Sequence, residues 1–199
     1  MLDSKDNIKD DSKDNSKDDS TYDGTCGSTY SSKDDPKDSK QKLLIHLGMG
    51  GHTSQISRVV NLLGPRYNYE YLLGDDDKTS EAKISFLGKI YRAKNPRLME
   101  DSSVIKVAFK MIPATISLIK ILVKSRPTAI LSAGPSLAIP LFWLAKIMGI
   151  KIIFVESWVR VHHKSQTGKL VYPVSDMFFV QWPTMKEVYP KAIYAGRLS

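Results

Sequence analysis

The chain is predicted to be an α/β protein, a Rossmann-like parallel sheet with helices on both faces. Two observations predict this. From residue 41 onward, short apolar runs rich in Ile, Leu, Val, Phe and Tyr alternate with helix-like stretches. Strands that alternate with helices imply a parallel sheet with helices on both faces. The first such unit also reads strand, glycine turn, helix. The run Lys42-Leu43-Leu44-Ile45-His46-Leu47 leads into Gly48-Met49-Gly50-Gly51-His52-Thr53, and then into residues 54–63.

Residues 1–40 differ in kind. Ser-Lys-Asp repeats at Ser4, Ser12, Ser16 and Ser32, and most residues there are Ser, Lys, Asp, Asn, Gly or Thr. Too little apolar surface is available to offset ordering entropy, so the segment reads as a disordered tail. No apolar stretch of signal-peptide type follows Met1. Residues 41–199 read as a single domain. The whole chain carries +8; its first 40 residues hold 7 Lys and 11 Asp, so residues 41–199 carry +12, from 22 Lys plus Arg against 10 Asp plus Glu. That excess favours anionic partners: phosphates, nucleic acid or an acidic membrane face. The only cysteine, Cys26, lies in the tail, which excludes disulfides and cysteine zinc sites from the domain.

The elements follow in order. A second strand spans Asn68 to Leu73 and ends in the turn Gly74-Asp75-Asp76-Asp77. A short third strand spans Lys89 to Ala93. The fourth, Ala129 to Ser132, precedes Ala133-Gly134-Pro135-Ser136 and a helix from Leu137 to Met148. The fifth, Lys151 to Val155, is strongly apolar. Asp176 to Gln181 is the sixth, and Ile193 to Ala195 closes the pattern. Thr184 and Glu187 have capping-box spacing for a short helix.

Two segments invite a membrane reading. Residues 127–145 lack charge, but Gly134-Pro135 and Pro140 interrupt them, so a buried strand, turn and helix is expected. The helix from Ser103 to Lys124 is apolar nearly all round. At 100° per residue, Lys106, Lys110, Ser117, Lys120 and Lys124 fall within about 40° of one line. Part of its apolar surface should pack on the sheet. The rest suits either lipid, with lysines at the headgroups, or deep burial with lysines reaching out.

The glycine turn aims backbone N–H groups and the positive end of a helix dipole at one spot, which suits phosphate. It lacks the Gly-Lys-Ser/Thr of a P-loop. Gly48 and Gly50 match the first two glycines of a dinucleotide fingerprint, but Thr53 stands where the third belongs. Asp75 to Asp77 could act as a ribose-binding acid, which keeps a nicotinamide-dependent enzyme as the alternative. His52 reads either as a base that takes a proton from a sugar hydroxyl or as a structural side chain. Glu156 ends the fifth strand, where open parallel sheets bind ligands. With Arg160 it forms either a substrate-orienting pair or an ordinary ion pair. His162 and His163 lack a third ligand and read as solvated, so neither a metal nor a cofactor is expected.

Three anchors together resemble a known family: Gly-Met-Gly-Gly-His-Thr, Ser132-Ala133-Gly134-Pro135 and Val155-Glu156-Ser157-Trp158-Val159-Arg160. Thr167-Gly168-Lys169-Leu170, Gln181-Trp182-Pro183 and Tyr189-Pro190 through Gly196-Arg197 continue the likeness. The chain resembles the asparagine-linked glycosylation fourteen family over residues 42–199, and bacterial exopolysaccharide glycosyltransferase subunits. The resemblance implies one half of a GT-B glycosyltransferase, the membrane-anchoring, acceptor-side subunit. Its partner would be a donor-binding, asparagine-linked glycosylation thirteen-like subunit carrying UDP-N-acetylglucosamine or another UDP-sugar. The acceptor would be a polyprenyl- or dolichyl-diphosphate sugar, and nucleic acid is not expected. Gly48, Gly50, Gly51, Thr53, Gly134 and Arg160 would hold the acceptor diphosphate. His52 or Glu156 would deprotonate its hydroxyl, and the chain alone would be inactive. The polar tail stands where eukaryotic members carry an anchor, so membrane contact would fall on Lys106, Lys110, Lys120 and Lys124. The expected location is the cytoplasmic face of a membrane: endoplasmic reticulum in a eukaryote, plasma membrane in a prokaryote.

Overall fold

The computed structural model describes residues 40–95 and 104–198, with residues 104–110 described by backbone alone. The expected tail, apart from Lys40, lies outside the described residues. Seven strands form one sheet: β1 (Lys42–His46), β2 (Asn68–Gly74), β3 (Lys89–Ala93), β4 (Ala129–Ser132), β5 (Lys151–Val155), β6 (Met177–Val180) and β7 (Ile193–Tyr194). Their order is β3-β2-β1-β4-β5-β6-β7. Every neighbouring pair is parallel. The chain winds outward from β1 to β3 and then returns to the other side of β1. The order therefore reverses between β1 and β4, where open α/β sheets place their ligands.

The helices are α1 (Gly51–Leu63), α2 (Val104–Ser125), α3 (Ala138–Ile147), α4 (Gln166–Val171) and α5 (Met185–Val188). Strand side chains alternate between two faces. On one face, Leu44, Leu72, Ile130, Ile152, Phe154 and Phe178 pack against α2, α3, α4 and α5. Phe154 stacks on Phe178 with centroids 4.9 Å apart, and Phe142 of α3 meets Phe154 edge-on. On the other face, Leu43, Ile45, Tyr71, Leu131 and Val155 cluster with Ile56 and Val60 of α1. Helices thus cover both faces, but unequally. Among the described residues α1 is the only α-helix on its face, and a groove of about 440 Å³ stays open beside it. Leu62, Leu63, Ile153, Phe179 and Leu198 are among its walls.

The uncharged segment 127–145 forms β4, a turn and α3, and no helix among the described residues is long and apolar enough to cross a membrane. The lysine-striped helix is α2, which runs through Pro113 as one element. Ala114, Leu118, Ile121 and Leu122 are buried on the core side. Each fully buried leucine contributes about 1.5–3 kcal/mol. Ile112, Ile116, Ile119 and Val123 stay exposed, as do Lys120 and Lys124. The side chains of Lys106 and Lys110 lie outside the described residues.

Local chemistry corrects one sequence expectation. Thr184 does not cap α5 with its side chain; its hydroxyl donates to Val161 O, tying α5 to the loop after β5. Ser165 caps α4 instead, accepting from Gly168 N–H. Short elements such as α4 and the 3-10 turns at Gly64–Arg66 and Glu81–Lys83 leave too few residues for a period to show.

Candidate functional site

A cavity of about 200 Å³ opens at the carboxyl ends of β1, β2 and β4. Its walls include His46, Gly48, His52, Asp76, Asp77, Asn95 and Pro135. The glycine turn forms one side. Gly50 caps α1 at φ 72°, a left-handed conformation that a Cβ would strain. Gly48 passes so close to the β4 loop that a Cβ on it would sit 2.6 Å from Pro135 Cβ. Gly134, at φ 104°, lies beside His52: a Cβ on Gly134 would be 3.7 Å from the imidazole Cε1. The reversal point of the sheet thus brings Gly48, Gly50, His52 and Gly134 together from two loops.

No side chain caps the start of α1. The N–H groups of a helix's first turn have no intrahelical acceptor and carry the positive end of the dipole. Here His52 of that turn lines the cavity, and Ser54 N–H is taken by Gly50 O. Thr53 does not join His52 there. Its N–H and its hydroxyl both donate to Gly48 O, its hydroxyl also contacts Ser80 Oγ at 2.6 Å, and the residue is buried. Thr53 therefore closes the turn from inside, and its polar groups are already used. The N–H of Gly134 likewise points back at Ser132 Oγ, 3.4 Å away, so this glycine supplies space.

His46 was not singled out in the sequence because it sits inside an apolar strand. It is buried, and its Nδ1 lies 2.9 Å from Ser132 Oγ across the β1–β4 pair. Burial, reinforced by neighbouring His52, lowers its pKa from 6.5 to about 3, so its ring stays neutral. The sequence offers Asp77 as part of a turn or as a ribose-binding acid. Its Oδ1 accepts from Thr79 N, Thr79 Oγ1 and Ser80 N.

Glu156 lies outside this cavity's walls. Its carboxyl group is enclosed: Ser157 N–H donates to Oε1, and Ser165 Oγ and Tyr189 Oη donate to Oε2, at 2.9–3.1 Å. Its carbonyl accepts from Gln55 and Gln181, each at 3.0 Å. Five elements and loops meet there, and Gln55 lies one turn beyond His52 on α1. Burial first, then the adjacent Glu156, pushes the Tyr189 phenol far above its usual range. Arg160 is exposed on the following loop and does not line the cavity, though its charge acts on Tyr189; His162 and His163 are exposed with it. His52 and Glu156, paired as candidates in the sequence, thus occupy different environments: an open wall and a closed network.

A doubly wound parallel sheet with a glycine-turn cavity at its reversal point is a Rossmann-like fold, and it superposes on under half of larger solved chains. MurG from Acinetobacter baumannii superposes with a TM-score of 0.60 at 17% identity, covering 79% of this chain and 44% of that one. A UDP-N-acetylglucosamine 2-epimerase follows at 0.58 and 12% identity, covering 76% and 45%. The chain thus spans less than half the length of these structures. It belongs to the Alg14 family: the family model described as "Oligosaccharide biosynthesis protein Alg14 like" matches residues 43–198. The mouse protein named UDP-N-acetylglucosamine transferase subunit ALG14 is 34% identical, covering 82% of this chain and 85% of its own. The fission yeast protein of that name is also 34% identical, covering 80% and 87%. Nothing in these likenesses supports the nicotinamide alternative.

Proposed function

We propose that this chain is the acceptor-binding subunit of a two-chain UDP-N-acetylglucosamine transferase and is inactive alone. One observation carries the reading. The chain covers most of relatives named as a transferase subunit and superposes on less than half of the MurG chain, which supports a partner chain that brings the other half. The acceptor is a polyprenyl- or dolichyl-diphosphate sugar. Its diphosphate lies against the turn at Gly48, Gly50 and Gly51, where the open start of α1 favours an anion. The net charge of +12 on residues 41–199 favours the same ligand. His52, on the cavity wall, takes the proton of the attacking sugar hydroxyl. Glu156 shapes the floor of the loops and does not reach the acceptor.

The donor-binding partner seats on the apolar groove beside α1. Residues 195–198 line that groove, which puts the chain's carboxyl end at the interface. The exposed Ile112, Ile116, Ile119 and Val123, flanked by Lys120 and Lys124, rest on the anionic cytoplasmic leaflet of a membrane.

The test is transfer by the reconstituted pair. His52→Ala is expected to leave the pair assembled while lowering turnover by about 10²–10⁴-fold, the usual share of general base catalysis. Full turnover would remove the catalytic role and leave this chain as a recruiting and positioning subunit.

A further inference from the structure

The cavity beside His52 has two chemically opposite ends. One is the start of α1, where Gly48 and His52 line it at the positive end of the helix dipole. The other is acceptor-rich: Asp76, Asp77 and Asn95 line it, and Asp76 and Asn95 are bonded to each other at 3.1 Å. Asp77 is 2% exposed, and its Oδ2 has no hydrogen-bond partner among the described residues. A buried carboxylate oxygen without a donor is costly, so such an atom calls for a ligand. Burial raises the Asp77 pKa, but the hydrogen bonds from Ser80 and Thr79 outweigh it and hold the group below the usual carboxylate range. The free oxygen is therefore an acceptor only.

Two observations narrow the ligand's chemistry. A phosphate would be repelled by Asp76 and Asp77 and belongs at the helix end. Among the described residues no three His, Cys, Asp or Glu side chains are grouped to hold a metal ion. An O–H donor fits an acceptor-only oxygen, and the sugar of the acceptor reading supplies one. We propose that Asp77 Oδ2 receives a hydroxyl of the acceptor's terminal sugar, with Asp76 and Asn95 beside it. The acceptor then lies with its diphosphate on α1 and its pyranose on the β2 loop, and Asp77 determines which sugar is accepted. This assignment rests on the acceptor-subunit reading above.

The experiment uses the full chain with its donor-binding partner and compares Asp77→Asn with wild type. Asn keeps the oxygen that accepts from Thr79 and Ser80 and turns Oδ2 into a donor. The acceptor KM is expected to rise about tenfold or more. The KM for UDP-N-acetylglucosamine and the melting temperature should stay unchanged. Acceptors lacking one hydroxyl, other than the one glycosylated, give the second arm: wild type should lose a similar factor for one of them, and Asp77→Asn should be indifferent to that loss. An unchanged acceptor KM in a folded Asp77→Asn, or a raised donor KM instead, would overturn the assignment while His52→Ala still tests the reading beneath it. Should Asp77→Asn fail to fold, the wild-type series decides: no deoxy acceptor losing more than about threefold overturns the proposal. A wild-type pair that transfers nothing to a lipid-diphosphate sugar would overturn both.

Discussion

Gly48 and Pro135 meet face to face across the reversal point of the sheet, with room for a hydrogen and none for a methyl group between them. A Cβ on Gly48 would sit 2.6 Å from Pro135 Cβ and 2.7 Å from its Cγ. The proline ring is rigid, so the strain would fall on the two loops. Gly48→Ala is expected to cost about 1–3 kcal/mol of stability, as overpacking does. It should also lower transfer by the reconstituted pair, because the turn carries His52. Urea unfolding and turnover measured on one preparation check both.

Glu156 and Gly168 form a second such contact. A Cβ on Gly168 would lie 2.3 Å from Glu156 Oε2 and 2.5 Å from Tyr189 Oη. Gly168→Ala should therefore displace the Glu156 carboxyl group and destabilise the fold by about 1–3 kcal/mol. Glu156→Ala leaves Ser157 N–H, Ser165 and Tyr189 without their acceptor, at a cost of about 3 kcal/mol. Glu156→Gln should be milder. Its amide oxygen can face Ser157 N–H, and both hydroxyls can rotate to accept from its NH₂. Retained turnover in Glu156→Gln is the expected outcome. A folded but inactive variant would return Glu156 to the catalytic list.

Acid should destabilise the protein through His46. Its folded pKa of about 3 lies below the ordinary 6.5, so between these values the unfolded chain binds a proton that the native chain refuses. Stability therefore falls as pH drops through this window, and His46 adds no pH dependence above it. Between pH 6.5 and pH 5 the loss is about 2 kcal/mol. His46→Val should remove this slope while losing about 1 kcal/mol with the Ser132 hydrogen bond. Urea midpoints at the two pH values measure it.

Membrane contact through α2 predicts a charge dependence. Each lysine near an anionic surface contributes about 1 kcal/mol. Charge reversal at Lys120 and Lys124 should weaken flotation with anionic vesicles by more than about tenfold, and extending it to Lys106 and Lys110 should release the protein. Binding unchanged by all four reversals would remove α2 from the membrane.

Leu62 tests the partner surface. It is 78% exposed and lines the groove beside α1. Leu62→Asp should leave the melting temperature within a few degrees of wild type, since no core is disturbed. Co-purification with the donor-binding subunit should be lost.

The strands were legible in the sequence almost to the residue, because a parallel strand buried on both faces is a nearly unbroken apolar run. Lys89–Ala93, Ala129–Ser132 and Lys151–Val155 coincide with β3, β4 and β5. The glycine turn was legible too, since Gly48 and Gly50 stand where backbone geometry admits little else. α4 was not, for six residues carry no period. For Thr53 as a diphosphate contact and Glu156 as a catalytic candidate, residue type and place in a turn or at a strand end are all the sequence offers. Their hydrogen-bond partners come from positions up to 101 residues away in the chain.

What the sequence by itself determined is the doubly wound sheet and the turn at Gly48–Thr53, because periodicity and glycine chemistry are local; the Alg14 family was legible in the ordered motifs shared with it. Only the tertiary structure decided which side chains face the cavity. It turned Thr53 inward onto Gly48 and Ser80, enclosed Glu156 among Ser157, Ser165 and Tyr189, and left His52 on the cavity wall. It also set an unpartnered Asp77 oxygen among residues lining that cavity. A polar side chain goes where its hydrogen bonds can be completed, and that is settled by neighbours brought in from distant strands.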